Sequence, residues 1–108
     1  MVSTLTVDGE AYFAAQQTEI DFMRNVLAYA KLRGWLSYHT HISKRSTEGW
    51  PDCVFAKPGR LVIAELKREK GGRVSPAQRE WIAVLKTVLA DVYVWRPSDW
   101  PEIERVLR

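Results

Sequence analysis

Three features of the sequence predict an α/β domain with a mixed four-stranded sheet between helical layers. The apolar residues change period along the chain, in the order helix, three strands, helix, strand, helix. The turn Lys57-Pro58-Gly59-Arg60 joins two of the strand-like runs as a hairpin. The run Leu61 to Leu66 is nearly all apolar, as in a strand covered on both faces.

The elements follow in order. Residues 1–17 are small and polar around Tyr12 and Phe13, and they form an N-terminal arm or an added turn of helix. From Thr18, a favoured N-cap, Ile20, Met23, Leu27 and Ala30 recur at helical steps, widened by Phe22, Val26 and Tyr29, until Gly34 stops the run. Trp35 to Ile42 alternates as a strand and runs into the basic loop Ser43-Lys44-Arg45-Ser46. Strands follow over Asp52–Lys57 and Leu61–Lys67. Ser75-Pro76-Ala77-Gln78 then opens a helix with an N-cap, a first-position proline and an S-x-x-Q capping box. Trp81, Ile82, Leu85, Val88 and Leu89 form its inner face. A strand over Asp91–Trp95 and a short helix capped by Ser98, with Ile103, Val106 and Leu107 inward, complete the chain.

The 108 residues, 46% hydrophobic and 27% charged, suit one domain with one core, here 18–108. No run approaches the roughly 18 apolar residues of a membrane span. Met1 to Glu10 lacks the basic start and apolar run of a secretory signal, so a soluble intracellular protein is expected. Cys53 is the lone cysteine and, beside Val54 and Phe55, belongs to the core. His39, His41 and Cys53 have zinc-ligand chemistry, but no fourth ligand lies at a recognisable spacing. The net charge is +3, and residues 43–73 hold eight Lys and Arg against four Asp and Glu, so all the positive excess lies there. A polyanionic partner or merely a basic, solvated loop surface would account for that.

The chemistry concentrates between Gly49 and Gln78. A strand presents alternate residues to one face, so Glu65 and Lys67 project side by side, and the hairpin brings Asp52 to Glu65. Carboxylates hold Mg2+ through oxygen, and the Leu66 carbonyl between Glu65 and Lys67 offers a third ligand. The bound cation lowers the pKa of its water and neutralises charge on a phosphodiester, while Lys67 positions or deprotonates the water or stabilises the pentacoordinate phosphate. An E-x-K triplet is weak by itself. Preceded by Pro51-Asp52 at hairpin distance and followed by the basic Gly-rich loop Arg68 to Arg73, it becomes moderately specific.

With Glu19, Gly49-Trp50-Pro51-Asp52, Glu65-Leu66-Lys67, Gly71, Ser75-Pro76-Ala77-Gln78, Trp81 and Val92 to Pro97 in that order, the chain resembles the VRR-NUC domain of the PD-(D/E)xK nuclease superfamily. The likeness is to small stand-alone phage and bacterial forms and covers about residues 18–107. It implies a restriction-endonuclease-like α-β-α fold and Mg2+- or Mn2+-dependent DNA cleavage in the cytoplasm of a bacterial or phage-infected cell. By position, Asp52 and Glu65 match the metal ligands, Lys67 the catalytic lysine and Glu19 a helix-borne acid near the metal, although a carboxylate in a helix's first turn also simply complements the macrodipole. Gln78 matches a glutamine that supports the site, although the capping box alone also explains it. The name-giving Val-Arg-Arg tract is not evident, with Ser43 to Ser46 and Val94 to Arg96 the nearest basic segments. His39, Lys44, Arg45, Arg68, Lys70 and Arg73 are the candidates for DNA contact. One site cuts one strand, so resolution of a four-way junction implies a homodimer. Trp50, Trp95 and Trp100 are candidates to face a partner or unstacked bases. A non-catalytic DNA-binding module and a subunit of a larger repair or packaging complex stand as alternatives.

Overall fold

The structure is a computed structural model and describes residues 14, 16–40, 47–88 and 91–108. His41, Lys44, Arg45 and most of the N-terminal arm lie outside the described residues. Helix α1 spans Glu19–Leu32, strand β1 Leu36–His39, β2 Cys53–Lys57, β3 Arg60–Leu66, helix α2 Pro76–Val88 and β4 Val92–Trp95. A 3-10 turn at Pro97–Asp99 leads into helix α3, Trp100–Val106. The chain is thus α/β, with a mixed, open four-stranded sheet in the order β1-β2-β3-β4 and, among the described residues, these three α-helices.

β1 with β2 and β2 with β3 are antiparallel, whereas β3 and β4 are parallel. A parallel neighbour needs a crossover connection, and α2 provides it. Val62, Ala64 and Leu66 join Phe22, Val26, Phe55, Trp95 and Ile103 in one buried cluster. Ile63, one residue out of step, packs with Ile82 and Val92 in another. Period-two alternation therefore accounts for the unbroken apolar run of β3, since both of its faces are covered.

Thr18 caps α1 as predicted, its hydroxyl accepting the Asp21 N–H at 3.0 Å, and Gly34 leaves the helix at φ +87°. The buried stripe differs from expectation. It is the i, i+4, i+8 row Phe22, Val26 and Ala30, with Met23, Leu27 and Tyr29 at its border and Ile20 exposed. Ile20 lies about 200° around the helix from Phe22 and cannot share its face. Val88 of α2 is likewise exposed, because only Ile82 is fully covered on that helix. Ser98 does not cap α3. Asp99 occupies that position without a side-chain cap bond, its carboxylate instead accepting the Arg96 N–H at 2.8 Å in the box that opens the 3-10 turn, and the Ser98 N–H donates to Glu69.

The hairpin turn revises the charge argument. Lys57 donates to the Arg33 and Arg108 carbonyls and Arg60 to that of Val106, so these cations serve chain and helix ends. Arg60 begins β3 and Glu65 lies near its end, which separates them by roughly 16 Å at about 3.3 Å per residue.

Candidate functional site

The centre of the site is a reciprocal pair of bonds between segments thirteen and fourteen residues apart. The Asp52 N–H donates to Glu65 Oε1 at 3.1 Å, and the Leu66 N–H donates to Asp52 Oδ2 at 2.9 Å. Each carboxylate is thus held by the backbone beside the other. Register explains the meeting: Cys53 pairs with Ala64, which sets Asp52 opposite Glu65 where the β2–β3 ladder ends. On the far side, the Thr40 N–H donates to the Asp52 carbonyl at 3.0 Å, so the Asp52 backbone is held from both neighbouring strands.

Glu65 is 1% exposed, the only buried charged side chain among the described residues. Lys67 Nζ lies 3.3 Å from Glu65 Oε2, and the Gln78 Nε2 donates to the same oxygen at 2.5 Å. Burial pushes the Glu65 carboxyl up to about 8, its hydrogen bonding to Asp52 and the Asp52 charge push the same way, and Lys67 pulls it back. One lysine therefore faces two close acids. The buried Cys53 thiol is pushed up by desolvation and then by Asp52 and Glu65, which leaves it an inert core group.

Gln78 performs both of the tasks that the sequence allowed it. Its Oε1 accepts the Ser75 N–H at 2.8 Å while its own N–H donates to Ser75 Oγ at 3.1 Å, a complete capping box. Its Nε2 is then left to hold Glu65. Gly49 sets the opposite wall at φ +91°, where a Cβ would come within 2.6 Å of the Ala77 backbone. The loop before Asp52 can therefore lie against the first turn of α2 only with glycine there.

Lys67 also lines a polar cleft of about 500 Å3 with Gln17, Glu19, Arg68, Lys70 and Arg73. Three of the candidates for DNA contact, Arg68, Lys70 and Arg73, and the helix-borne Glu19 thus share one opening with Lys67. Glu19 stands exposed on the first turn of α1, and among the described residues no three His, Cys, Asp or Glu side chains gather to hold a metal ion. Arg96 holds the basic loop in place, its guanidinium donating to the carbonyls of Arg68 at 2.5 Å and Gly72 at 2.7 Å. His39 ends β1 opposite Cys53, so it projects from the face of Ala64, the reverse of the Glu65 face. Sequence reasoning missed Gln17 and Arg96, one assigned to the arm and the other noted only as a basic residue.

The donor set suits a hard divalent cation. It consists of the Asp52 and Glu65 carboxylates and the backbone carbonyl of the adjacent Leu66, all oxygen, with the Glu65 carboxyl raised first by burial and then by Asp52. Mg2+ is commonly held by one or two carboxylates with water completing its shell. No family model matches the chain, and comparison with curated proteins and with solved structures finds no match.

Proposed function

We propose that this chain is a Mg2+- or Mn2+-dependent DNA endonuclease of the PD-(D/E)xK superfamily, VRR-NUC type, with a three-layer, restriction-endonuclease-like α-β-α arrangement. The observation that carries the reading is the interlocked Asp52–Glu65 pair with Lys67 Nζ 3.3 Å from Glu65 and a basic cleft beside it. Asp52, Glu65 and the Leu66 carbonyl would hold the cation, which when bound supplies charge neutralisation and a water of lowered pKa.

The chain's own residues divide the remaining work. Gln78 orients Glu65 through Oε2 and leaves Oε1 toward Asp52. Lys67, largely shielded from solvent, presents a point charge where negative charge accumulates on the scissile phosphate and keeps a donor beside the attacking water. Arg68, Lys70 and Arg73 hold the flanking phosphates in the cleft, and Glu19 closes its rim. Cleavage of a branched substrate further calls for two copies of the chain. Exposure of Leu36 at 78% and Tyr38 at 62% on the edge strand β1 supports a homodimer.

The test is incubation of the purified protein with linear duplex, flap and four-way-junction DNA in Mg2+, Mn2+ or EDTA, beside Lys67→Ala. Metal-dependent cutting that the variant loses is expected. Full cutting by the variant refutes the assignment of Lys67, and tight binding without any cutting makes the chain a DNA-binding module. A monomer in analytical ultracentrifugation, with and without a junction, refutes the dimeric resolvase.

A further inference from the structure

A second cleft, of about 330 Å3, opens beside the basic one and is lined by Gln17, Asn25, Ala28, Pro97 and Trp100. Gln17 lines both, so the two are contiguous there. Their chemistry differs: the first is basic and polar, whereas the second sets an indole and a proline ring against two amides. We infer that the second cleft is a nucleobase subsite, taking one unpaired base of a strand whose phosphates lie in the basic cleft. The inference rests on the DNA-binding part of the proposed function and narrows its substrate to nucleic acid with an unpaired nucleotide.

Trp100, Gln17 and Asn25 each have a matching task. Trp100 supplies a stacking surface and is braced rather than floppy, because Tyr29 meets it edge-on at 5.6 Å between ring centroids. The other tryptophans are otherwise engaged. Trp95 and Trp35 are buried, with indole N–H groups donating to Glu102 and the Leu107 carbonyl, and Trp81, paired edge-on with Trp50, lines a separate cleft beside Glu48 and Glu80, whose carboxylates disfavour a polyanion. The Asn25 Nδ2 donates to Gln17 Oε1 at 3.1 Å, which orients both amides. Gln17 then has an N–H pair and Asn25 a carbonyl to offer, a donor and an acceptor side by side, which complement the edge of a base. The corner that presents Pro97 and Trp100 is the one whose Arg96 clamps the phosphate-facing loop, so phosphate and base contacts are built on one support.

The experiment measures binding in EDTA, where no cleavage occurs, by fluorescence anisotropy with three probes of one length: a mixed-sequence single strand, the same strand made abasic throughout, and a blunt duplex. For the wild type, the normal strand should bind roughly fivefold to a hundredfold tighter than the abasic one, the range for losing one base–aromatic stack. Trp100→Ala should bind the two strands alike and the duplex as the wild type does, and Trp100→Phe should restore the discrimination. Asn25→Ala, on the exposed side of α1, should reduce it severalfold. Equal wild-type affinity for normal and abasic strands overturns the subsite, as does an equal loss on all three probes in a Trp100→Ala whose circular dichroism matches the wild type. The wild-type comparison and Asn25→Ala decide the matter even if Trp100→Ala does not fold. Discrimination that persists in a protein unable to cut DNA leaves the subsite standing while the nuclease reading falls, whereas absence of binding to any probe overturns both.

Discussion

Replacing Gln78 separates two roles that one side chain combines. Gln78→Ala removes the capping-box acceptor, worth about 1 kcal/mol, and the bond to Glu65 Oε2, worth about 1.5–3 kcal/mol for a hydrogen bond to a charged group. The combined loss is about 2.5–4 kcal/mol, a fall in Tm on the order of 10–20 °C for a chain of this size. Ser75→Ala removes only the cap and should cost about 1 kcal/mol with cleavage unchanged. Gln78→Glu is the sharper variant. A glutamate at this position keeps the capping box but brings a second carboxylate to an oxygen now approached at 2.5 Å. Two such groups cannot both ionise, so the variant should be at least as unstable as Gln78→Ala at pH 8 and recover toward wild type at pH 5, where they share a proton. Urea denaturation of the four proteins at both pH values checks this. Stability of Gln78→Ala equal to that of Ser75→Ala, or of Gln78→Glu equal to wild type at pH 8, refutes a role for Gln78 at Glu65.

Four further outcomes are expected. Lys67→Met should lower the single-turnover cleavage rate by about 100-fold or more, as removal of one electrostatic stabiliser commonly does, while DNA affinity in EDTA changes little. The Glu65 carboxyl ordinarily titrates near 4.5 and is pushed up to about 8, so between these values the folded chain binds a proton that the unfolded chain has lost. Stability in EDTA should therefore fall as pH rises from about 4.5 to about 8, and Glu65→Gln should abolish the fall, both read from urea midpoints. Gly49→Ala combines a left-handed backbone with a Cβ 2.6 Å from Ala77 and should destabilise by about 2–4 kcal/mol in thermal unfolding. Arg96→Lys keeps the charge but cannot span the Arg68 and Gly72 carbonyls, so amide exchange over 68–73 should quicken and DNA binding weaken about tenfold.

The parts of the fold that were legible in the sequence rest on local rules. Thr18, Gly34 and the Ser75–Gln78 box act within one turn of chain, and the Lys57 to Arg60 turn sets the register that joins Asp52 to Glu65. The stripe of α1 was not legible at the same resolution, because Ile20 and Phe22 are equally apolar and only the docking of the helix on the sheet chooses between them. Charge was misleading for a similar reason: Lys57 and Arg60 lie near Lys67 in sequence but at the other end of β3. Gln17 and Trp100 are 83 residues apart, and no spacing rule connects them, so their shared cleft is visible only once α1 and the Pro97 corner have come together.

Gln78 shows why the centre of the site was more legible than its surroundings. A capping box needs an acceptor at the third helical position, and an amide provides one while keeping a donor in reserve. Glutamate would satisfy the cap equally well, yet beside a carboxylate that is 1% exposed it would add a charge the site cannot accommodate. The choice of Gln over Glu is thus dictated by Glu65, thirteen residues earlier, and not by the helix that Gln78 begins. The same burial that makes Glu65 hard to ionise leaves one lysine to balance it and Asp52. A carboxylate kept for a cation at a cost in stability would be relieved by a neutral residue at position 65. Glu65→Gln should then be more stable than wild type at pH 8 and lose all stabilisation by Mg2+, whereas loss of stability at that pH would make Glu65 a structural anchor.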